Sequence, residues 1–390
     1  MPTKTANRNK SLSSSERKNG EFAEEYNEFE SIPQKQFTTT TKGRSSGFNP
    51  VNRFDDFHLE KTADDITEED IERKVRTEFI RDNTKTILSK NDSPDIPYTY
   101  SINPYRGCEH GCIYCYARPS HEYLGYSSGM DFETKILVKH DAAKLLEKTF
   151  LDPKWNPEPI CLSGNTDCYQ PAERNFKLTR DLLNVFLKFR NPLRIITKNF
   201  LITRDIDILK ALAELHLAHV VISITTLDKE LSRRMEPRTS IPSQRLEAIA
   251  LLAGHNIPVG VLAAPIIPGL NDHELPEMLR HASDAGATTA GYTVIRLSHA
   301  LKELFKDWIE REYPDKYEKI IHSIQDVRNG KLNNTEWGKR MQGEGEMAEY
   351  IAAMFKTFSK KYGLNNRPSE SKPALFLRGN SDQINLFDQQ

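Results

Sequence analysis

Cysteine is scarce: the 390 residues carry five. That is too few for a disulfide scaffold, and it fits a reducing compartment where thiols stay free. Long apolar runs are missing too. The most apolar stretch, residues 257–270, is broken by Pro258, Pro265 and Pro268. It falls short of the roughly 20 residues a membrane helix needs. The first ten residues are polar, without the apolar core of a secretion signal. A cytoplasmic protein with no membrane partner is the expectation. Neither sign of charge dominates, with 54 Lys and Arg against 55 Asp and Glu for a net charge of −1. This excludes a uniformly basic nucleic-acid coat but leaves room for a local basic face. Apolar residues make up 37%, which is low for a packed domain, so part of the chain is expected to lie outside any core.

The shortage is localised. Residues 1–45 are rich in Lys, Ser, Thr, Asn and Glu and show no apolar period. They are expected to form a disordered arm, because little buried surface offsets the entropy of ordering. Residues 46–97 come next, with a strap over 47–57 and a charged helix over 66–79 that turns Ile71 and Val75 inward. Residues 364–390 form a second polar tail.

Between the tails the period alternates. Apolar, β-branched runs occupy residues 160–163, 193–197, 218–225, 259–264 and 289–297, and residues 99–103 supply a first strand. Helical spacing separates them, as in Leu178, Leu182, Val185, Phe186 and Phe189, or Ile206, Leu209, Leu212 and Leu215. Strands alternating with helices of 10 to 15 residues imply βαβ units on a parallel sheet. Six such units suit an open doubly wound sheet or a partial barrel, and periodicity does not separate the two. Residues 298–363 read as a helical extension.

Three of the five cysteines stand at Cys108, Cys112 and Cys115. Three soft thiolates on one short loop suit zinc, copper or an iron–sulfur group. A structural zinc takes four ligands, commonly two Cys pairs, and no second pair follows. His110 lies inside the tight loop, where reaching the same ion would strain the chain. An iron–sulfur cube held by three cysteines keeps one iron open to a small ligand.

The pattern Cys108-x-x-x-Cys112-x-Tyr114-Cys115, after a strand and before a helix, resembles the signature of the radical S-adenosylmethionine (SAM) superfamily. Within it, Asn103-Pro104-Tyr105-Arg106-Gly107-Cys108 and the segment 163–173 are similar to spore photoproduct lyase and its bacterial relatives. The resemblance covers residues 98–297. It implies an α/β fold, a partial (β/α)6 TIM-type barrel, flanked by the disordered N-terminal arm and the helical C-terminal extension. It also implies a 4Fe–4S cluster on Cys108, Cys112 and Cys115, SAM on the open iron, and a flavodoxin- or ferredoxin-like electron donor. SAM would be cleaved reductively to a 5′-deoxyadenosyl radical.

The resemblance points to further positions. Radical SAM proteins usually carry Gly-Gly-Glu where this chain has Ser163-Gly164-Asn165-Thr166-Asp167. Thr166 and Asp167 are therefore candidates for the SAM amino group, with Ser163 a further cofactor-binding candidate, against a plain turn whose side chains bond their own backbone. Lys198 and Ser223, at the third and fourth strand ends, are candidates for the SAM carboxylate and ribose. Pro265 and Ile267, at the fifth, would floor the adenine, with Tyr114 beside the cluster. Cys161 and Cys168, flanking the second strand end, are the candidate hydrogen-atom donors, against plain packing of a buried thiol. Arg233, Arg234 and Arg238 either line a polyanion-binding mouth or pair with carboxylates such as Glu236, with Arg296 as a further member.

Gln383-Ile384-Asn385-Leu386-Phe387 resembles the Gln-x-x-Leu-Phe peptide by which bacterial polymerases and repair proteins dock on the replicative sliding clamp. Gln383 would supply the amide, while Leu386 and Phe387 fill an apolar pocket. The alternative is an apolar clip onto the domain together with Leu375, Phe376 and Leu377. The expected function is a radical SAM enzyme acting on DNA, as in lesion repair. Two alternatives stand beside it: a radical SAM enzyme modifying protein or RNA, and a non-catalytic metal-binding scaffold tethered to the clamp.

Overall fold

The structure, a computed structural model, describes residues 43–55, 75–366 and 375–378. Ten strands occur in them: β1 (Glu78–Arg81), β2 (Leu88–Lys90), β3 (Tyr100–Ile102), β4 (Tyr105–Arg106), β5 (Lys135–Val138), β6 (Ile160–Leu162), β7 (Leu193–Thr197), β8 (Ala218–Ile224), β9 (Val259–Ile266) and β10 (Thr289–Val294). The α-helices are α1 (Met130–Thr134), α2 (Ala142–Leu151), α3 (Glu173–Phe176), α4 (Leu178–Phe189), α5 (Ile206–Glu214), α6 (Lys229–Met235), α7 (Pro242–Gly254), α8 (Leu275–Asp284), α9 (Leu301–Glu312), α10 (Tyr317–Asp326) and α11 (Glu346–Lys361).

Seven strands form the main sheet in the order β10-β9-β8-β7-β6-β3-β2. β3 and β6 to β10 run parallel, and β2 pairs antiparallel at one edge. Six parallel strands with intervening helices make the partial (β/α)6 barrel. The period of two sorts each strand. Leu193, Ile195, Val220, Ile222, Val259 and Val261 join one core with Leu182, Phe186, Leu209, Leu212, Ile249 and Leu279 of the outer helices. The alternate positions face the interior. Register sets Ser101, Cys161, Arg194 and His219 side by side across β3, β6, β7 and β8.

An open barrel leaves edge strands with unpaired backbone groups. At β10 the C-terminal extension covers them. Asn365 uses its side-chain amide like a strand residue, accepting from Ala290 N (2.8 Å) and donating to Ala290 O (3.0 Å). Val294 N donates to Met341 O (2.8 Å). Helices α9 and α10 build a second core, with Trp308, Phe305, Ile320 and Ile324 packed around Ile113, Tyr114, Ile267 and Leu270. The helical extension therefore buttresses the cysteine loop.

Three local expectations change. The strap is in place from residue 43, not 46: Ser45, Ser46 and Asn52 are buried, and Arg44 donates to Glu133 O at 2.6 Å. A Cβ on Gly129 would lie 2.1 Å from Phe48 O, so only glycine lets the strap pass. The helix expected over 66–79 is contradicted at its end. Glu78–Arg81 is a strand, pairing in a small sheet of order β1-β5-β4, and Val75 is exposed. Residues 66–74 lie outside the described residues, as do 1–42 and the peptide at Gln383, Leu386 and Phe387. The apolar clip is present at 375–377, where Phe376 packs on Phe150 and Phe189 and Leu377 N donates to Phe189 O (2.9 Å).

Candidate functional site

The cysteine loop follows β4 and is pressed against α1. Gly107 and Gly111 have φ of 77° and 65°, the left-handed region open to glycine. A Cβ on Gly107 would meet Lys135 O at 2.9 Å, and one on Gly111 would meet Glu133 Oε2 at 2.8 Å. Arg118, wholly buried, grips the loop. Its Nε donates to Cys112 O (2.9 Å), and one terminal nitrogen reaches Gly111 O (3.2 Å) and Glu133 Oε1 (2.6 Å). Cys108 and Cys112 are buried and Cys115 is half-buried. Burial pushes all three thiols up; the Asp167 carboxylate adds to this at Cys108, and Glu236 at Cys112.

The two segments that carry the resemblance interlock. Asn103 Oδ1 accepts from Asn165 N (2.8 Å) and Thr166 N (3.1 Å). Thr166 Oγ1 donates to Tyr105 O (2.8 Å), and the Tyr105 hydroxyl to Glu173 (2.6 Å). Gln170 clamps the cysteine loop, accepting from Glu109 N (2.9 Å) and donating to Gly107 O (3.1 Å). Ser163 Oγ accepts from Cys168 N (2.8 Å). Asp167 accepts from Thr197 Oγ1, Tyr169 N and Lys198 N, each at 2.8 Å, and lies 3.4 Å from His110 Nδ1. Burial works to raise its pKa, yet His110 and these donors hold it below the ordinary value. Ser163, Thr166 and Asp167 are thus brought together at the end of β6. The polar atoms of Thr166 and Asp167 already hold the turn on the cysteine loop and on β7.

Lys198 and Ser223 meet across the ends of β7 and β8, with Lys198 Nζ donating to Ser223 Oγ at 2.7 Å. Burial lowers the Lys198 pKa, and its ammonium sits 5.9 Å from the Tyr114 ring. Tyr114 turns its hydroxyl to buried Glu236, which also takes Arg245 and the Thr225 hydroxyl (2.7 Å). Arg245 then reaches Ser223 O (3.1 Å). At the end of β9, Ile267 N donates to Asn271 Oδ1 (2.6 Å) and Asn271 Nδ2 to Pro265 O (3.0 Å). Pro265 is half-buried, while the Ile267 side chain belongs to the second core.

Cys161 lies inside the barrel, fully buried, with its thiol pushed up to about 12 by burial. It shares a hydrogen bond with Tyr98, a residue that sequence reading left out. Cys168 turns instead into the helix-facing core. Of the two readings of the arginines at 233–238, pairing with carboxylates is the one present, though not with Glu236. Arg233 pairs with Glu230 (3.2 Å), Arg234 with Glu312 (3.5 Å) and Arg238 with Glu109 (3.0 Å), while Glu236 takes Arg245.

The family follows from comparison. The model of the radical SAM superfamily matches residues 102–282. An uncharacterised protein of Mycobacterium tuberculosis is 34% identical over 234 residues, which cover 59% of this chain and 69% of that protein. Another, of Methanocaldococcus jannaschii, is 29% identical over 63% of this chain and 87% of its own. The chain belongs to the radical SAM superfamily, whose members use a 4Fe–4S cluster and SAM. Among solved structures, spore photoproduct lyase with bound AdoMet and dinucleoside spore photoproduct has the same fold. The TM-score is 0.53, at 18% identity, over 77% of this chain and 84% of that one.

The residues present fit those groups. Among the described residues no three His, Cys, Asp or Glu side chains converge on a single ion position. Three soft thiols on one loop are a donor set for an iron–sulfur cluster, whose cysteines ligate different irons. The loop's shape is set by glycine backbone and by Arg118, leaving the three soft thiols as its donors. Lys198 and Ser223 bring a cation and a hydroxyl to neighbouring strand ends, the pairing a carboxylate and a sugar call for.

Proposed function

We propose that the protein is a radical SAM enzyme that repairs a DNA lesion of the spore-photoproduct type. The observation that carries this is the placement of Cys161. Its thiol stands in the barrel interior on the strand that ends at 163–167, beside Tyr98, in a fold shared with spore photoproduct lyase. The bound cluster and SAM supply the hydrogen-abstracting radical when one electron arrives from a flavodoxin- or ferredoxin-like donor. The chain itself binds and orients. Cys108, Cys112 and Cys115 hold the cluster. Lys198 takes the SAM carboxylate and Ser223 the ribose. Ser163 offers its hydroxyl to the amino group, with Thr166 and Asp167 fixing the turn. Tyr114 and Pro265 border the adenine. Cys161, kept as the thiol by burial, gives its S–H hydrogen atom to the product radical, and one further electron from the donor with a proton restores the thiol.

The test is anaerobic. Cluster-loaded protein with SAM and dithionite is given ultraviolet-irradiated spore-type DNA, and thymine dinucleotide is quantified. Wild type restores thymine. Cys161→Ala is expected to consume lesion but yield altered adducts in place of thymine. Lesion untouched by wild type that still cleaves SAM would defeat the DNA reading.

The tail suggests where the enzyme works. Phe376 anchors the chain on the barrel seven residues before Gln383. Gln383, Leu386 and Phe387 then serve as a clamp-binding peptide. Deleting residues 383–387 is expected to abolish capture by purified bacterial sliding clamp while repair in vitro continues. Equal capture with and without the peptide rules that role out.

A further inference from the structure

The seam of the open barrel, between β10 and the β2–β3 edge, is crossed by two loops, 91–98 and 333–345. Arg340 joins them through Asp95 (2.7 Å) and Ser93, and Gly338 N donates to Asp95 Oδ1 (2.7 Å). Arg296 leaves the end of β10 into this seam. Buried Arg328 sets its direction by binding the carbonyls of Val294 (2.9 Å) and Ile295 (2.6 Å), just before it.

Arg296 has no carboxylate of its own among the described residues. One terminal nitrogen donates to the Met341 sulfur (3.2 Å), a weak acceptor, and its Nε is buried with no partner. Asp95, the nearby acid, is committed to Arg340. Arg328 is satisfied by carbonyls and has the Glu344 charge nearby, so of the three guanidiniums here Arg296 is the one with neither an ion pair nor a full set of acceptors among the described residues. A guanidinium half out of water with an unpartnered buried Nε carries a desolvation cost that a bound anion would offset.

The aromatic surroundings are specific. Tyr116 directly follows Cys115, and its ring is 52% exposed. Its hydroxyl is fixed on Gly164 O (2.6 Å), and the Arg296 guanidinium stands 6.0 Å from the ring centroid. Trp337 is 54% exposed, with Arg340 stacked over it at 4.2 Å. An unpaired guanidinium beside one exposed ring, with a second exposed ring on the loop that Arg340 ties across the seam, is the donor set for phosphate and base together. Arginine grips phosphate by paired donors, and aromatic faces stack bases of any sequence.

We propose that the seam holds a nucleic-acid strand, with Arg296 binding one backbone phosphate and Tyr116 and Trp337 stacking the neighbouring bases. This deepens the DNA reading above and rests on it. The strand would enter beside the cysteine loop, so Arg296 fixes which nucleotide faces the barrel interior.

The probe is a fluorescein-labelled ten-nucleotide oligothymidylate, titrated anaerobically with cluster-loaded full-length protein at several KCl concentrations. Arg296→Gln is expected to weaken binding about tenfold and to flatten the log–log salt slope by about 0.7, one phosphate contact on a single strand. Arg296→Lys keeps the slope. Trp337→Ala weakens binding about tenfold and leaves the slope alone. Iron per chain verifies each variant; if Arg296→Gln loses iron, Arg296→Lys and Trp337→Ala decide the matter. Wild-type affinity and slope in Arg296→Gln and Trp337→Ala overturn the seam and leave the DNA reading standing. A wild type that ignores the oligonucleotide and binds a polyglutamate peptide overturns both.

Discussion

Cys112→Ala gives colourless protein after reconstitution with iron and sulfide, and 5′-deoxyadenosine formation from SAM falls to the no-enzyme background. Cys112 is the middle cysteine of the triplet and the one embedded in the second core, beside Ile113 and Tyr114. Its backbone carbonyl takes both Arg118 Nε (2.9 Å) and Cys115 N (3.2 Å), so the main chain around it is fixed whatever the side chain. The fold should survive while the ligand is lost, which makes the variant a clean test. Cys168→Ala is the matched comparison. That thiol lies in the helix-facing core, and its removal costs about one packed side chain without touching iron. Wild-type cluster absorption in Cys112→Ala would remove the triplet from the chemistry. Zinc in place of iron in wild type would do the same.

The triplet was legible because its spacing is local: three thiols within eight residues need no long-range fold to be recognised. The six barrel strands were legible for a related reason. Each is an apolar run bounded by helical spacing, and burial imposes that period on the sequence. The small sheet was not, because β4 has two residues and β1 alternates only weakly, with Glu78 and Arg81 exposed. Nor was the interlock of 103–107 with 165–173. It rests on bonds from the side chains of Asn103, Tyr105 and Gln170, partly to backbone, across some sixty positions, and such bonds leave no period.

Charge was the most misleading signal. Arg233, Arg234 and Arg238 stand out as a basic run, yet Arg233 pairs with Glu230 on its own helix and the fold brings Glu312 to Arg234 and Glu109 to Arg238. Arg296, far from that run in sequence, has no ion pair among the described residues and an unpartnered buried Nε. What sequence reports is charge content; which charges are neutralised is decided by packing. Tyr98 escaped notice for the same reason, since only the barrel sets it beside Cys161.

Arg118→Met should destabilise the protein by about 3–5 kcal/mol, the range for breaking one partner out of a buried ion pair. Arg118 and Glu133 are both inaccessible, 2.6 Å apart, and removal of the guanidinium leaves Glu133 charged in a closed space. It also strips donors from the carbonyls of Gly111, Cys112, Ser128 and Gly129. The two losses can be separated. Adding Glu133→Leu removes the stranded charge, so the double variant should regain part of the denaturation midpoint. It should not regain iron binding to the same degree, because the carbonyls of Gly111 and Cys112 still lack the Arg118 guanidinium and keep only Ser45 Oγ and Cys115 N. Urea midpoints and iron per chain, measured on wild type, single and double variants, give both readouts. A single variant that unfolds at the wild-type midpoint would show that Arg118 is dispensable to the loop. A double variant that recovers stability and iron together would assign its whole effect to charge, and the backbone grip would carry no weight in shaping the cluster site.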